Sequence, residues 1–147
     1  MNTLESILDT KGRSLHVIPP DATVLEAVEA MCRAHVGALL VMEEGQKLSG
    51  VFSERDLMMR VVLKGRDASR IPVREVMTRE LVCVEPNTAP RQAMALMTDH
   101  RVRHLPVVEG KRVVGLVSIG DLVRWTIRDR EREVEQLHEY ISGRYPG

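Results

Sequence analysis

The sequence predicts an α+β fold: two related units, each running strand, helix, strand, strand, helix, packed as one module. Three observations predict it. First, the chain repeats itself. Pro20 aligns with Pro86, Ala27 with Ala93, Met31 with Met97, Leu39 with Leu105 and Val41 with Val107, each pair 66 apart. After a one-residue gap near Glu44 the offset becomes 65, and Gly45 meets Gly110, Gly50 meets Gly115, Ser53 meets Ser118, Asp56 meets Asp121 and Leu57 meets Leu122. Second, the apolar spacing inside each copy switches between strand and helix periods. Third, 147 residues, 44% of them hydrophobic, make one domain's worth of core. A unit of about sixty residues is too small to bury a strong core alone, so the copies must share one.

In the first copy, Val17-Ile18 is an apolar pair ahead of Pro19-Pro20, and Thr23-x-x-Glu26 has the form of a capping box opening a helix. Ser53-x-x-Asp56 repeats that form with Asp in place of Glu. In the second copy, Leu81–Val84 reads as a short strand, and Pro86-Asn87-Thr88 offers a turn and a helix start. Ala93, Met94, Leu96 and Met97 then form a helical apolar face. Leu105–Val108 and Val113–Val117, separated by Glu109-Gly110-Lys111, predict a hairpin, after which Ser118 starts a helix. Lys64–Arg79 reads as a linker with some helix near Val73–Met77. The final helix extends from Ile119 to about Ser142, with Gly143 as its stop and Pro146 beyond. Residues 1–70 are therefore assigned to the first repeat with its N-terminal segment, 71–127 to the second, and 128–147 to a helical extension and tail. Ile127, Val134 and Ile141 recur at seven with Leu137 between them, a stripe suited to a dimer contact. The run Arg128–Glu133 reads as a solvated face stitched by i,i+4 pairs.

Composition excludes several functions. Lys+Arg and Asp+Glu both number 21, and aromatics are 3%, which argues against nucleic acid as a partner. Arg outnumbers Lys 17 to 4, favouring planar contacts to carboxylates or phosphates. Cys32 and Cys83 are far apart with no CxxC spacing, and His16, His35, His100 and His138 show no metal-ligand pattern. No metal and no disulfide are expected. The first dozen residues carry acids and no long apolar run, so neither a signal peptide nor a membrane span is expected, and the chain reads as cytoplasmic. Met31, Met58, Met59, Met94 and Met97 fall at helical spacing, as core or interface residues do.

The informative constellation is G-h-h-S-x-x-D, present as Gly50-Val51-Phe52-Ser53-Glu54-Arg55-Asp56 and as Gly115-Leu116-Val117-Ser118-Ile119-Gly120-Asp121. Each sits where a strand hands over to a helix, whose free N–H groups suit an anion. The Ser can donate to a phosphate or sugar oxygen, and the Asp can accept from both hydroxyls of a ribose. The same S-x-x-D is also an ordinary helix cap, and on the residues alone both readings stand.

The whole pattern resembles the tandem cystathionine-β-synthase (CBS) domain pair, or Bateman module, of the stand-alone bacterial type. The resemblance rests on Pro20–Ala27, Val73-Arg74-Glu75-Val76-Met77-Thr78, Arg103-His104-Leu105-Pro106-Val107-Val108 and both G-h-h-S-x-x-D segments. It implies two units about a pseudo-twofold axis with two clefts that take an adenosyl ligand: AMP, ADP, ATP or NAD(H), with S-adenosylmethionine ranked behind them. The first cleft would hold Ser53, Arg55 and Asp56, with Val17 and Ile18 near the base and Arg103 and His104 from the other unit. The second would hold Ser118, Gly120 and Asp121 with Cys83 and Val84, closed by Gly37 and Ala38. Arg55, Arg103 and His104 make the first cleft the expected site for a mononucleotide phosphate. Lys11, near that cleft in linear order, is a further phosphate contact to test. The implied function is non-catalytic: an energy or redox sensor that signals to a regulated protein and forms a homodimer, with no catalytic residues. A ligand-free interaction scaffold is the alternative, and an enzyme acting on a nucleotide a more remote one, because no Ser/His/Asp set or carboxylate pair converges.

Overall fold

The computed structural model describes residues 3–44 and 47–141. In chain order it contains α1 (Leu4–Lys11), β1 (Val17–Ile18), α2 (Val24–Ala34), β2 (Ala38–Met42) and β3 (Leu48–Ser53). Then come α3 (Glu54–Asp56), which continues as a π-helical stretch (Leu57–Val62), and a 3-10 turn (Val73–Glu75). The second copy supplies α4 (Pro90–His100), β4 (His104–Glu109), β5 (Arg112–Ser118) and α5 (Ile119–Ile141). Gly45, Ser142, Gly143 and Pro146 lie outside the described residues.

In the first copy β1 runs parallel to β2, and β2 antiparallel to β3. In the second, β4 and β5 form the expected hairpin, but Leu81–Val84 is reduced to one bridge, Val84 to Val107. The reason is local. Leu40 donates its N–H to the carbonyl of His16 at 3.0 Å, extending β1. The residue at its place in the repeat is Pro106, which has no N–H to give. The helix of the second copy also starts later than Pro86-Asn87-Thr88 suggests, at Pro90. Thr23 caps α2 by accepting from the Glu26 amide at 3.1 Å, half of the expected capping box. Ala89 stands where Thr23 does and caps nothing, so Pro90 at the first helical position marks the start instead.

The Pro86–Thr88 turn holds another part of the chain. Leu4 and Glu5, opening α1, donate their amides to the carbonyls of Thr88 and Pro86, both at 2.9 Å. Val73 and Arg74 do the same on the first copy, to Ala22 at 2.8 Å and Pro20 at 3.1 Å. The segment ahead of each copy therefore docks on the other one. Leu4, Ile7 and Leu8 are buried with Val84, Ala93, Met97, Leu105, Val117 and Leu122 of the second copy. Val73, Val76 and Met77 are buried with Val24, Ala27, Met31, Leu39, Val41 and Phe52 of the first. The N-terminal segment, grouped with the first repeat by its position in sequence, is thus packed into the second.

Each crossing segment needs room against β3 or β5, and glycine supplies it. A Cβ at Gly50 would stand 2.6 Å from the carbonyl oxygen of Thr78 and 2.8 Å from the sulfur of Met77. At Gly115 it would stand 2.5 Å from Cδ2 of Leu8. Between the two units lies a shared core. Alternation along β2 sends Leu39 and Val41 into the first core and Ala38, Leu40 and Met42 into this shared one, where Val51 and Val113 meet them. Val and Leu dominate all three clusters, which is how a chain with a single Phe and a single Trp fills its interior.

Candidate functional site

β3 and β5 each end in a Ser that caps the following helix. The Ser53 hydroxyl accepts from the Asp56 amide, and Asp56 Oδ2 accepts from the Ser53 amide at 2.9 Å and from the Ser53 hydroxyl at 3.1 Å. Ser118 and Asp121 repeat this, with the Ser118 amide 2.8 Å from Asp121 Oδ2 and the Asp121 amide 3.1 Å from the Ser118 hydroxyl. Both motifs are therefore reciprocal caps, and both carboxylates are buried, at 6% and 7% exposure. A cap alone needs no burial. Burying a carboxylate is costly unless other groups satisfy it, and those other groups separate the two sites.

At Asp56 the second oxygen, Oδ1, accepts from the hydroxyl of Thr78 at 2.9 Å, with Arg60 Nε at 3.8 Å. Thr78 is placed by the crossing segment: its amide and carbonyl bond the backbone of Val51 at 2.9 and 3.0 Å, beside Gly50. At Asp121 the neighbours are cations. Lys11 Nζ lies 2.7 Å from Oδ2, and Arg124 Nη2 lies 2.7 Å from Oδ1. Burial pushes the Asp121 carboxyl up, but hydrogen bonds from Lys11 and Ser118 and the Lys11 charge outweigh it, holding it below its ordinary value. Lys11, read from linear order as a first-cleft residue, belongs to the second. It ends α1, and α1 crosses to the other unit.

The remaining candidates are distributed as follows. Val17 and Ile18 form β1, with Ile18 buried and Val17 43% exposed. Cys83 is exposed next to the bridging Val84. The carbonyls of Gly37 and Arg103 play the same part in their copies, accepting from the first helical amide after each motif, Glu54 at 3.0 Å and Ile119 at 2.8 Å. Ala38 and His104 follow them, paired in register with Ser53 and Ser118. His104 faces the other unit, because a Cβ at Gly37 would be 3.1 Å from Glu54 Oε1 and 3.6 Å from His104 Nε2. Desolvation lowers the His104 pKa against the pull of Glu54 and Asp121, so this imidazole favours its neutral form. Arg55 also crosses between units, donating Nη1 to the Arg101 carbonyl at 3.1 Å. Gly120 packs against Arg124, where a Cβ would be 3.4 Å from Nη1. Arg55 and Glu54 thus meet the 101–104 segment, His104 lies within the field of both Glu54 and Asp121, and Ser118, Gly120 and Asp121 gather with Lys11 and Arg124. Thr78, Arg60 and Arg124 are the residues that motif reading missed. Thr78 left one trace in the sequence: the glycine of G-h-h-S-x-x-D requires something to press against it.

A protein-family model described as CBS domain matches residues 9–63 and again 73–128. The chain belongs to the CBS domain family. It is 38% identical over 151 residues to the CBS domain-containing protein CBSX3, mitochondrial, of Arabidopsis thaliana, covering 97% of this chain and 73% of that protein. It is 39% identical over 119 residues to the CBS domain-containing protein YhcV of Bacillus subtilis, covering 81% of this chain and 84% of that one. Among solved structures, a candidate signal-transduction protein with CBS domains from Burkholderia ambifaria superposes with a TM-score of 0.82 at 40% identity. That match covers 86% of this chain and 95% of the other. The two strand–helix–strand–strand–helix copies are therefore two CBS repeats, and the expected fold is the observed one. Among the described residues no helix is long and apolar enough to cross a membrane.

Proposed function

We propose that this CBS pair is a non-catalytic regulatory module of the cytoplasm that binds an adenosyl nucleotide between its repeats and passes the bound state to a partner protein. One observation carries the reading: each repeat buries a carboxylate at the start of a helix and leaves one of its oxygens to groups supplied from outside the cap. A ribose diol is a pair of neutral hydroxyl donors. At Asp56 it would replace one neutral hydroxyl, that of Thr78, by others of the same kind. At Asp121 it would have to displace an ammonium or a guanidinium, whose full positive charge on the buried carboxylate a neutral hydroxyl does not replace. The first cleft is accordingly the primary site, and AMP, ADP, ATP and NAD(H) are its candidate ligands. Arg55, Arg103 and His104 lie on that side to meet phosphate.

The Ser hydroxyls are committed to capping, and the carboxylate that Ser53 faces is the one its own cap buries, which supports binding over catalysis. Met58, Met59 and Val62 on the π-helical stretch, Leu63 just after it, and Val123 and Ile127 on α5 are exposed apolar side chains, the kind of surface a homodimer would cover. Thermal unfolding in the presence of each nucleotide tests the central reading. A ligand at one hundred times its dissociation constant raises stability by about 2.7 kcal/mol. No shift with millimolar AMP, ADP, ATP, NAD(H) or S-adenosylmethionine would overturn it and leave a scaffold.

A further inference from the structure

A cavity of about 370 Å³ lies between α1 and α5. Its floor is the Lys11–Asp121–Arg124 cluster, in which two cations meet one carboxylate at 2.7 Å each. One and two turns further along α5 come Arg128 and Arg132, with Asp129 as the other acidic group in the wall. Four cations therefore face two carboxylates. The expected i,i+4 stitching of Arg128–Glu133 is absent: no ion pair within 4.0 Å involves these residues among the described ones. Arg128 and Arg132 are thus guanidinium groups with their donors open to an incoming anion.

We infer that this groove is a binding site for a chain of linked phosphates, either free polyphosphate or the tail of a nucleoside triphosphate. Arg124, Arg128 and Arg132 share one helix face and span about 12 Å at 1.5 Å per residue, longer than a single phosphate and suited to an extended anion. Guanidinium groups grip phosphate oxygens in a planar fork, which lysines cannot. Trp125, the chain's single tryptophan, lines the same cavity and gives it a reporter. A volume of this size favours a small ligand over a protein segment. The groove shares Lys11 and Asp121 with the second cleft, and what sets the inference apart from the adenosyl reading is Arg128 and Arg132, which neither cleft uses.

The test is titration of the full chain with sodium tripolyphosphate at constant ionic strength, read by Trp125 fluorescence, with ATP, AMP and an oligo-glutamate of matched charge as parallel arms. Tripolyphosphate is expected to give a saturable change that AMP does not give. ATP binding like tripolyphosphate would identify the nucleotide tail as the source, and ATP inert beside an active tripolyphosphate would identify the free chain. The double variant Arg128→Ala, Arg132→Ala sits at exposed helical positions where alanine is well tolerated, and it is expected to weaken tripolyphosphate at least tenfold. AMP-induced thermal shifts should stay as in the parent, so a failure of the groove and a failure of the clefts are told apart. No saturable response, an unchanged affinity in the double variant, or equal affinity for oligo-glutamate would overturn the inference.

Discussion

Asp56 and Asp121 occupy equivalent places, cap equivalent helices and are buried to nearly the same extent, yet their second oxygens meet different chemistry. A threonine hydroxyl bonds the first, with Arg60 no nearer than 3.8 Å, whereas an arginine bonds the second at 2.7 Å while a lysine shares its other oxygen. The difference comes from the crossing segments and from α5, which carries Arg124 where the first copy has Met59. Thr78 and Lys11 are both delivered from the stretch ahead of the opposite copy, and those stretches are less alike than the copies they serve. Duplication preserved the cap and the backbone, and divergence in the linkers and in the helix after the motif split the electrostatics. The first carboxylate is open to exchange with a neutral diol. The second is already neutralised.

The largest effect expected from this comparison is on nucleotide affinity. Losing two charge-assisted hydrogen bonds to a ribose costs about 3 kcal/mol, so Asp56→Asn should weaken AMP roughly hundredfold by calorimetric titration. Asp121→Asn should leave it within about threefold, because the ribose does not displace Lys11 and Arg124 at low ligand concentration. Equal losses in the two variants would remove the distinction between the clefts.

The next effect is on stability. A methyl group added at Gly50 meets a backbone carbonyl that Val51 and Thr78 hold in paired hydrogen bonds, whereas one added at Gly115 meets the end of the Leu8 side chain. Backbone cannot move aside as a side-chain terminus can. Gly50→Ala should cost about 2–3 kcal/mol in urea unfolding and Gly115→Ala about 1 kcal/mol. Gly50→Ala also shifts Thr78, so its AMP affinity should fall where that of Gly115→Ala does not. A larger loss at Gly115 would show that α1 is held more tightly than the Val73–Thr78 segment.

These glycines also mark what the sequence makes legible and what it does not. The repeat, the hairpin at Glu109-Gly110-Lys111 and both Ser–Asp caps follow from spacing and turn chemistry, because these are local. The shortened first strand of the second copy follows from one missing N–H at Pro106, a local fact whose consequence appears only once its partner strand is known. Lys11 shows the limit. It lies 110 positions from Asp121, and linear order puts it beside the wrong cleft, since no local pattern announces that α1 crosses over.

A smaller effect, and one with a pH signature, belongs to that same lysine. Lys11→Met leaves Asp121 with Arg124 and Ser118 but without its ammonium partner. Lys11 is 37% exposed, so solvent screening limits the loss to about 1 kcal/mol. The Asp121 carboxyl is held below its ordinary value in the folded chain, so its contribution to stability is full above that ordinary value, about 4. It fades as pH falls through the lowered one. Urea unfolding should therefore show a constant gap between parent and variant from pH 7 to 5, closing below about pH 4. A gap that persists at pH 2.5 would assign the loss to packing of the lysine stem instead of its charge.

The smallest effect asks whether the second copy can be made more like the first. Ala89 has φ −72° and ψ 141°, close to the −73° and 157° of Thr23, so the backbone at the start of α4 is already in capping geometry. Only the side-chain oxygen is missing. Ala89→Ser would supply an acceptor for the Gln92 amide, the counterpart of the Glu26 amide that Thr23 accepts at 3.1 Å. An N-cap serine in place of alanine is worth about 1 kcal/mol, less here because Pro90 already presets the first helical turn. Ala89→Ser should raise the urea midpoint modestly and leave AMP affinity unchanged, whereas Thr23→Ala should lower the midpoint by a comparable amount. If Ala89→Ser brings no gain while Thr23→Ala costs the full amount, Pro90 has replaced the cap outright, and the two copies secure the same helix start by different means.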